Sequence, residues 1–145
     1  MPALKFEELL PFFGISGTFD VNEVPGQGHS SIIKTDQAWN VDITWTQTGG
    51  LSWMLAGEYK LQVLLEKMGG GESSLSPPAE ATVPVVAANP YTYNQTISIA
   101  ANSVSAGLYR VVVVLTMVGP APNKTPGPIA AYGDAGLIQF YKVGP

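Results

Sequence analysis

The chain has 145 residues, which suits one domain whose single core buries about two-thirds of the unfolded surface. It contains no cysteine, so disulfides, thiolate metal sites and the inter-sheet bridge of antibody domains are excluded. Net charge is −4 with seven Lys or Arg and no basic cluster; neutralising phosphates needs several cations on one face, which excludes nucleic acid as a partner.

Charged residues are 12% of the chain, about half the usual share. That predicts a neutral Thr/Ser/Asn-rich surface or one partly covered by another subunit. No stretch approaches the roughly eighteen apolar residues of a membrane-spanning helix. The N-terminus, with Lys5, Glu7, Glu8 and Pro11, has no cationic start, no continuous apolar run and no small-residue cleavage site. It does not read as a signal peptide, which leaves a cytosolic chain, one exported by another route, or one whose leader has been removed.

Taken in order, residues 3–10 are expected to form two helical turns, with Leu4, Phe6, Leu9 and Leu10 apolar against Lys5, Glu7 and Glu8, stopped by Pro11. Phe12 and Phe13 extend the apolar character to Gly14. The apolar segment 1–14 must be buried against its own domain, 15–145, or in a partner. Residues 15–21 read as a strand, followed by a turn-rich loop at 25–30. Residues 38–46 alternate strictly: Trp39, Val41, Ile43 and Trp45 on one face, Asn40, Asp42, Thr44 and Thr46 on the other. This is the pattern of a half-buried antiparallel strand whose two Trp face the core. Gly49 and Gly50 break it, and residues 58–67 form the next strand, with Tyr59, Leu61, Val63 and Leu65 inward. Residues 69–78 read as a flexible connection, and 82–87 as a short strand that Pro84 confines to an edge. Strands follow at 93–100 and 108–117, then a long Gly/Pro-rich loop, 119–136, and a last strand, 137–143. The openings Ala56-Gly57-Glu58-Tyr59 and Ala106-Gly107-Leu108-Tyr109 echo each other, but their flanks do not align, so convergence is preferred to duplication.

The stretch from Thr96 to Leu115 orders these elements. An alternating strand ends at Ala100, a short corner carries Val104 and Ala106-Gly107, and Tyr109 opens a β-branched strand. It resembles the E strand, E–F corner and F strand of an immunoglobulin-like sandwich. The resemblance implies an all-β antiparallel sandwich of about seven to eight strands, preceded by a short helical or extended segment. It also implies that the Tyr109 hydroxyl turns back onto backbone near 102–105, and that strand F lies between C, here 58–67, and G.

Chemistry-bearing motifs are sparse. The only histidine, His29, sits in a Gly-rich loop and reads as an exposed loop residue with no catalytic part. Asp20, Glu23, Asp36 and Asp42 are the densest carboxylates, but no spaced Asp/Asn loop accompanies them, so no metal site is assigned. There is no phosphate loop or dinucleotide fingerprint, and no cofactor is implied. Asn94-Gln-Thr96 and Asn123-Lys-Thr125 are short matches to the glycosylation pattern.

Two surfaces are left as candidates. In the run 111–115 both faces are apolar, whereas a strand with one wet face should alternate. Val112 and Val114 would then share an outer patch with Leu64 of the neighbouring strand, extended by residues 137–143. A second subunit is the favoured cover; the alternative is the N-terminal segment through Leu4, Phe6, Leu9, Leu10, Phe12 and Phe13. The function expected from this is a non-enzymatic structural or protein-interaction module that associates with itself or another protein. The alternative is a carbohydrate- or small-ligand-binding module using the 119–136 loop, with Trp53 and Tyr132 as exposed aromatics.

Overall fold

The computed structural model describes residues 2–8, 10–23, 31–69, 71–73 (backbone only), 79–120 and 122–142. Leu9, His29, Val143 and the turn-rich loop at 25–30 lie outside the described residues. Alternating apolar and polar residues lay down ten strands in chain order: β1 Lys5–Glu7, β2 Gly14–Glu23, β3 Ile32–Lys34, β4 Trp39–Thr48, β5 Glu58–Lys67, β6 Gly71–Ser73, β7 Ala79–Pro84, β8 Tyr91–Ile99, β9 Gly107–Val118 and β10 Pro126–Tyr141. Among the described residues one 3-10 helix, Gly50–Met54, joins β4 to β5. Of the ten strands, β1, β3 and β6 have three residues each, so the frame is the seven longer ones.

These strands pack as two sheets. One is β2-β4-β8; the other is built on β10-β9-β5, with β7 and β6 pairing the outer edge of β5 and β1 and β3 that of β10. All pairings are antiparallel except β3 with β10. The arrangement is an immunoglobulin-like sandwich in which β2, β4 and β8 hold the A, B and E positions and β7, β5, β9 and β10 the C′, C, F and G positions. Trp39, Val41, Ile43 and Trp45 face Tyr59, Leu61, Val111, Val113, Leu115, Ile138 and Phe140 across one core. Trp45 stacks on Tyr93 with ring centres 5.0 Å apart and meets Tyr59 edge-on. The corner is closed as the resemblance implied. The Tyr109 ring is fully buried, and its hydroxyl donates to the Ser105 carbonyl at 3.0 Å and lies 2.7 Å from the Ser105 hydroxyl.

Three expectations need correction. Of the helical and extended alternatives for the N-terminal segment, the extended one holds, and residues 3–10 are not helical: Ala3 bridges Thr18, and β1 pairs β10. The Leu4 amide donates to Gly17 and the Phe19 amide to Pro2, so residues 2–7 close one flank by pairing first with one sheet and then with the other. An eight-residue amphipathic run cannot sustain a helix by itself, and Leu4 and Phe6 satisfy a period of two equally well. The stretch 119–136 is not one long loop, because from Pro126 onward it is the first half of β10. Two irregularities in the register with β9, between Pro126 and Ala130 and between Asp134 and Leu137, absorb the prolines and glycines that read as loop. The 69–78 connection holds a strand, with Gly71–Ser73 pairing back onto β5.

At Gly57 the backbone requires glycine. Its φ is +114°, and a Cβ there would sit 2.1 Å from the Val118 carbonyl oxygen.

Candidate functional site

The two outer faces of the sandwich differ in chemistry. On the β2-β4-β8 sheet every outward side chain is Ser, Thr, Asn or Asp: Ser16, Thr18, Asp20 and Asn22, then Asn40, Asp42, Thr44, Thr46 and Thr48, then Thr92, Asn94, Thr96 and Ser98. These groups bond to one another across the strands. Asn22 donates to Asp42 at 2.8 Å, the Thr96 hydroxyl to the other Asp42 oxygen at 2.5 Å, and Thr44 to Asn94 at 2.8 Å; Thr46 and Thr92 pair at 2.8 Å. Cross-strand pairs of this kind each stabilise the sheet by about 0.2–1 kcal/mol.

The outer face of the other sheet carries a patch of apolar side chains among polar ones, with Lys60, Gln62 and Glu66 of β5 and Arg110 and Thr116 of β9 on the same face. Leu64 on β5 lies directly beside Val112 on β9, and Val114 lies beside Tyr132 on β10. Leu64 is 50% exposed and Tyr132 47%, while Val112 and Val114 are half-buried by these neighbours. Leu137, Leu108 and Ile32 continue the exposed apolar surface towards the far end of β10. Two polar contacts punctuate it. Arg110 donates to Asp134 at 2.8 Å, and the Lys5 ammonium lies 6.0 Å from the centre of the Tyr132 ring. Among the described residues no segment lies across Leu64, Val112 and Val114.

Leu4, Phe6, Phe12 and Phe13 do not cover that patch. Leu4 is in the core, Phe6, Leu10 and Phe13 pack against the core from the flank, and Phe12 is 84% exposed at the loop end. Leu4 is therefore no interface residue, and the self-covering alternative does not hold for these side chains. Phe12 has φ 54°, the left-handed region that bulky residues avoid, and its carbonyl accepts the Leu51 amide. The fold thus points the Phe12 ring outward at the end that also exposes Trp53 and Met54.

Trp53 and Tyr132, paired above as ligand candidates, sit on different elements: Trp53 in the helix at the loop end, Tyr132 in mid-strand on the outer sheet face. The geometry gives them no common platform, and Tyr132 belongs with the Leu64–Val112–Val114 surface. The alternation of Ile129, Ala131 and Gly133 inward with Tyr132 outward carries that signal in the sequence, masked by the flanking prolines and glycines. Asp20 and Asp42 are opposite each other in register, but Glu23 pairs with Trp39 at the strand end and Asp36 lies in the turn after β3. Among the described residues no three His, Cys, Asp or Glu stand close enough to hold a metal.

A buried polar group went unread in the sequence. Gln47 is fully buried at an inward position of β4. Its Oε1 accepts the hydroxyls of Tyr59 at 3.0 Å and Tyr93 at 2.8 Å, and its Nε2 donates to the carbonyls of Val86 at 2.6 Å and Ala88 at 3.1 Å. The Val86 amide donates back to the Tyr93 hydroxyl at 2.9 Å. Burial pushes the phenols of Tyr59 and Tyr93 above the ordinary tyrosine range. The network fastens the crossing from β7 to β8 onto both sheets.

No family model and no curated protein matches the chain. Among solved structures it is similar to the CARDB domain of a Pyrococcus furiosus protein crystallised in complex with di-metal ions, at 12% identity, TM-score 0.47, over 94% of this chain and 99% of that one. It is also similar to part of a beta-glucosidase from Listeria innocua crystallised in complex with glucose, at 16% identity and TM-score 0.45, where it covers 88% of this chain but spans only 17% of the enzyme. The class defined by the strand order is an all-β sandwich module. No helix among the described residues is long and apolar enough to cross a membrane.

Proposed function

We propose that this chain is a non-enzymatic structural or interaction module that associates with a second copy through the outer face of the β10-β9-β5-β7 sheet. The observation that carries the reading is the contrast between the two outer faces: Leu64, Val112, Val114, Tyr132 and Leu137 on one, and a wholly polar ladder on the other. An exposed apolar patch of this kind at the middle of a sheet face marks an interaction surface. Three strands of about ten residues or more and the shorter β7, about 4.8 Å apart, offer roughly 600 Å² of projected area, the order of the ~800 Å² per partner of a standard interface. Arg110, Asp134, Lys5 and Glu66 place both signs of charge around the patch, as an isologous contact needs.

Sedimentation equilibrium of the wild-type chain and of Val112→Asp tests this. A wild-type assembly whose mass the substitution lowers while the chain stays folded supports the reading. A wild-type chain that stays monomeric at about 100 µM, within the range where standard-size interfaces associate, would sink it. So would an unchanged mass and melting temperature in Val112→Asp. A carbohydrate or small ligand at the loop end is the second reading, supported by Trp53, which is 61% exposed beside exposed Met54. Quenching of Trp fluorescence by glycans, lost in Trp53→Ala, would favour it.

A further inference from the structure

Strand β8 is the edge of its sheet, and among the described residues it is the long edge with no strand hydrogen-bonded to its outer side, although β7 of the other sheet packs near it. Three residues of the N-terminal segment pair with the outer side of β2, β1 and β3 share that of β10, and β6 and β7 that of β5. Strand β7 itself carries Glu80 and ends in Pro84. Natural sheets blunt their edges with charge, proline, bulges or shortness. The segment Tyr91–Ile99 uses none of these: it is nine residues long, contains no charged residue and no proline, and runs against β4 without a register shift from Trp39↔Ile99 to Gln47↔Tyr91. Alternate N–H and C=O groups of an edge strand point away from its neighbour. Here the Gln95 side chain reaches the Thr96 carbonyl at 3.3 Å, and among the described residues no other strand pairs with that side. Constant-type immunoglobulin sandwiches place strand D beside E, whereas this chain passes from β7 to β8 through residues 85–90.

We propose that β8 is a strand-addition edge through which two copies of the chain pair antiparallel about a dyad at Gln95, joining two three-stranded sheets into one of six strands. The occupant follows from the edge being complementary to itself. With the dyad at Gln95, Thr92 meets Ser98 and Asn94 meets Thr96 on the polar face, while Tyr91 meets Ile99 and Tyr93 meets Ile97 on the core side. The first two are hydroxyl–hydroxyl and amide–hydroxyl pairs of the kind this face already makes as Thr46–Thr92 and Thr44–Asn94, and aromatic–β-branched pairs are favourable cross-strand neighbours. No charge opposes another. The copy in effect continues the ladder that β4 begins. A strand of this length is about 30 Å long, so an edge contact alone falls at the small end of specific interfaces and predicts weak, concentration-dependent association.

This contact is separate from the sheet-face contact, and the experiment distinguishes them. The chain has no cysteine, so single cysteines report cleanly. In an antiparallel pair centred on residue 95 the two Gln95 Cα atoms are about 4.5–5.5 Å apart, inside the range a disulfide spans. Gln95→Cys, made in the Val112→Asp background, should cross-link to a dimer on mild oxidation. Thr92→Cys should not, because its own counterpart lies six residues away along the pair. A second measurement guards against misfolding. The doubly lysine variant Asn94→Lys/Thr96→Lys and the doubly glutamate variant Asn94→Glu/Thr96→Glu should each weaken self-association by more than about tenfold, yet form a mixed dimer when combined. Equal cross-linking at positions 92 and 95 would overturn the proposal, as would a mixture that stays monomeric or a chain that captures unrelated extended peptides at β8 but never itself.

Discussion

Removing the Gln47 side chain tests whether its buried network stabilises the fold through hydrogen bonding or merely fills space. In Gln47→Leu the volume is nearly kept, so the change is chemical. Four hydrogen bonds disappear: two phenol donors lose the Oε1 acceptor, and the Val86 and Ala88 carbonyls lose the Nε2 donor. The Tyr93 hydroxyl has a fallback in the Val86 carbonyl at 3.4 Å, and the 85–90 crossing is exposed enough for water to reach some of its carbonyls. Tyr59 has neither, because its ring is fully buried and Gln47 is its acceptor. A stranded buried hydroxyl costs about 1–3 kcal/mol, and each ordinary bond lost adds about 0.5–1.5 kcal/mol. The buried Leu side chain returns about 1 kcal/mol. The expected net loss is about 3–4 kcal/mol, a fall in melting temperature of about 10 °C for a domain of this size. The cycle with Tyr59→Phe is the sharper assay. In the wild-type background that change should destabilise by about 1 kcal/mol, whereas in Gln47→Leu it should be neutral or stabilising, because it removes the orphaned hydroxyl. Urea unfolding of the four proteins gives both numbers. A loss below about 1 kcal/mol for Gln47→Leu, or the same cost for Tyr59→Phe in both backgrounds, would refute the hydrogen-bonding account.

Trp45→Ala empties the aromatic cluster with Tyr59 and Tyr93 and should cost about 3–5 kcal/mol in urea unfolding. Tyr109→Phe keeps the buried ring and loses the bond to Ser105, so it should cost about 0.5–1.5 kcal/mol with no change in association state. The Tyr59 and Tyr93 phenols are held above the ordinary value of 10.0. The folded chain therefore keeps protons that the unfolded chain sheds above about pH 10, and stability should be flat below that pH and fall as pH rises beyond it. Thermal melts between pH 8 and pH 11.5, followed with tyrosinate absorbance against a Tyr59→Phe control, should show Tyr59 ionising only on unfolding; titration of Tyr59 itself in the folded chain contradicts the burial argument.

Much of the sandwich is legible in the residues because a half-buried strand writes its face into the sequence every second position. Trp39, Val41, Ile43 and Trp45 are inward as their alternation requires, β5 spans the same residues in sequence and structure, and the corner at Tyr109 closes on Ser105. The outward position of Leu64 beside Val112 follows from the same parity once the strands are set in register. What local pattern does not carry is partnership. Residues 2–7 satisfy helix and strand periods alike, and they extend because two sheets offer them backbone partners. The Pro/Gly-rich start of β10 becomes strand only against β9, which tolerates its two irregularities. Gln47 reads as an ordinary polar residue until Tyr59, Tyr93, Val86 and Ala88 arrive around it from three separate parts of the chain. The bare edge of β8 likewise arises only when the other strands have chosen their neighbours. Periodicity is a property of one segment, so the sequence determined which side chains face inward. Pairing is a competition among distant segments for the same hydrogen bonds, and the tertiary structure decided it.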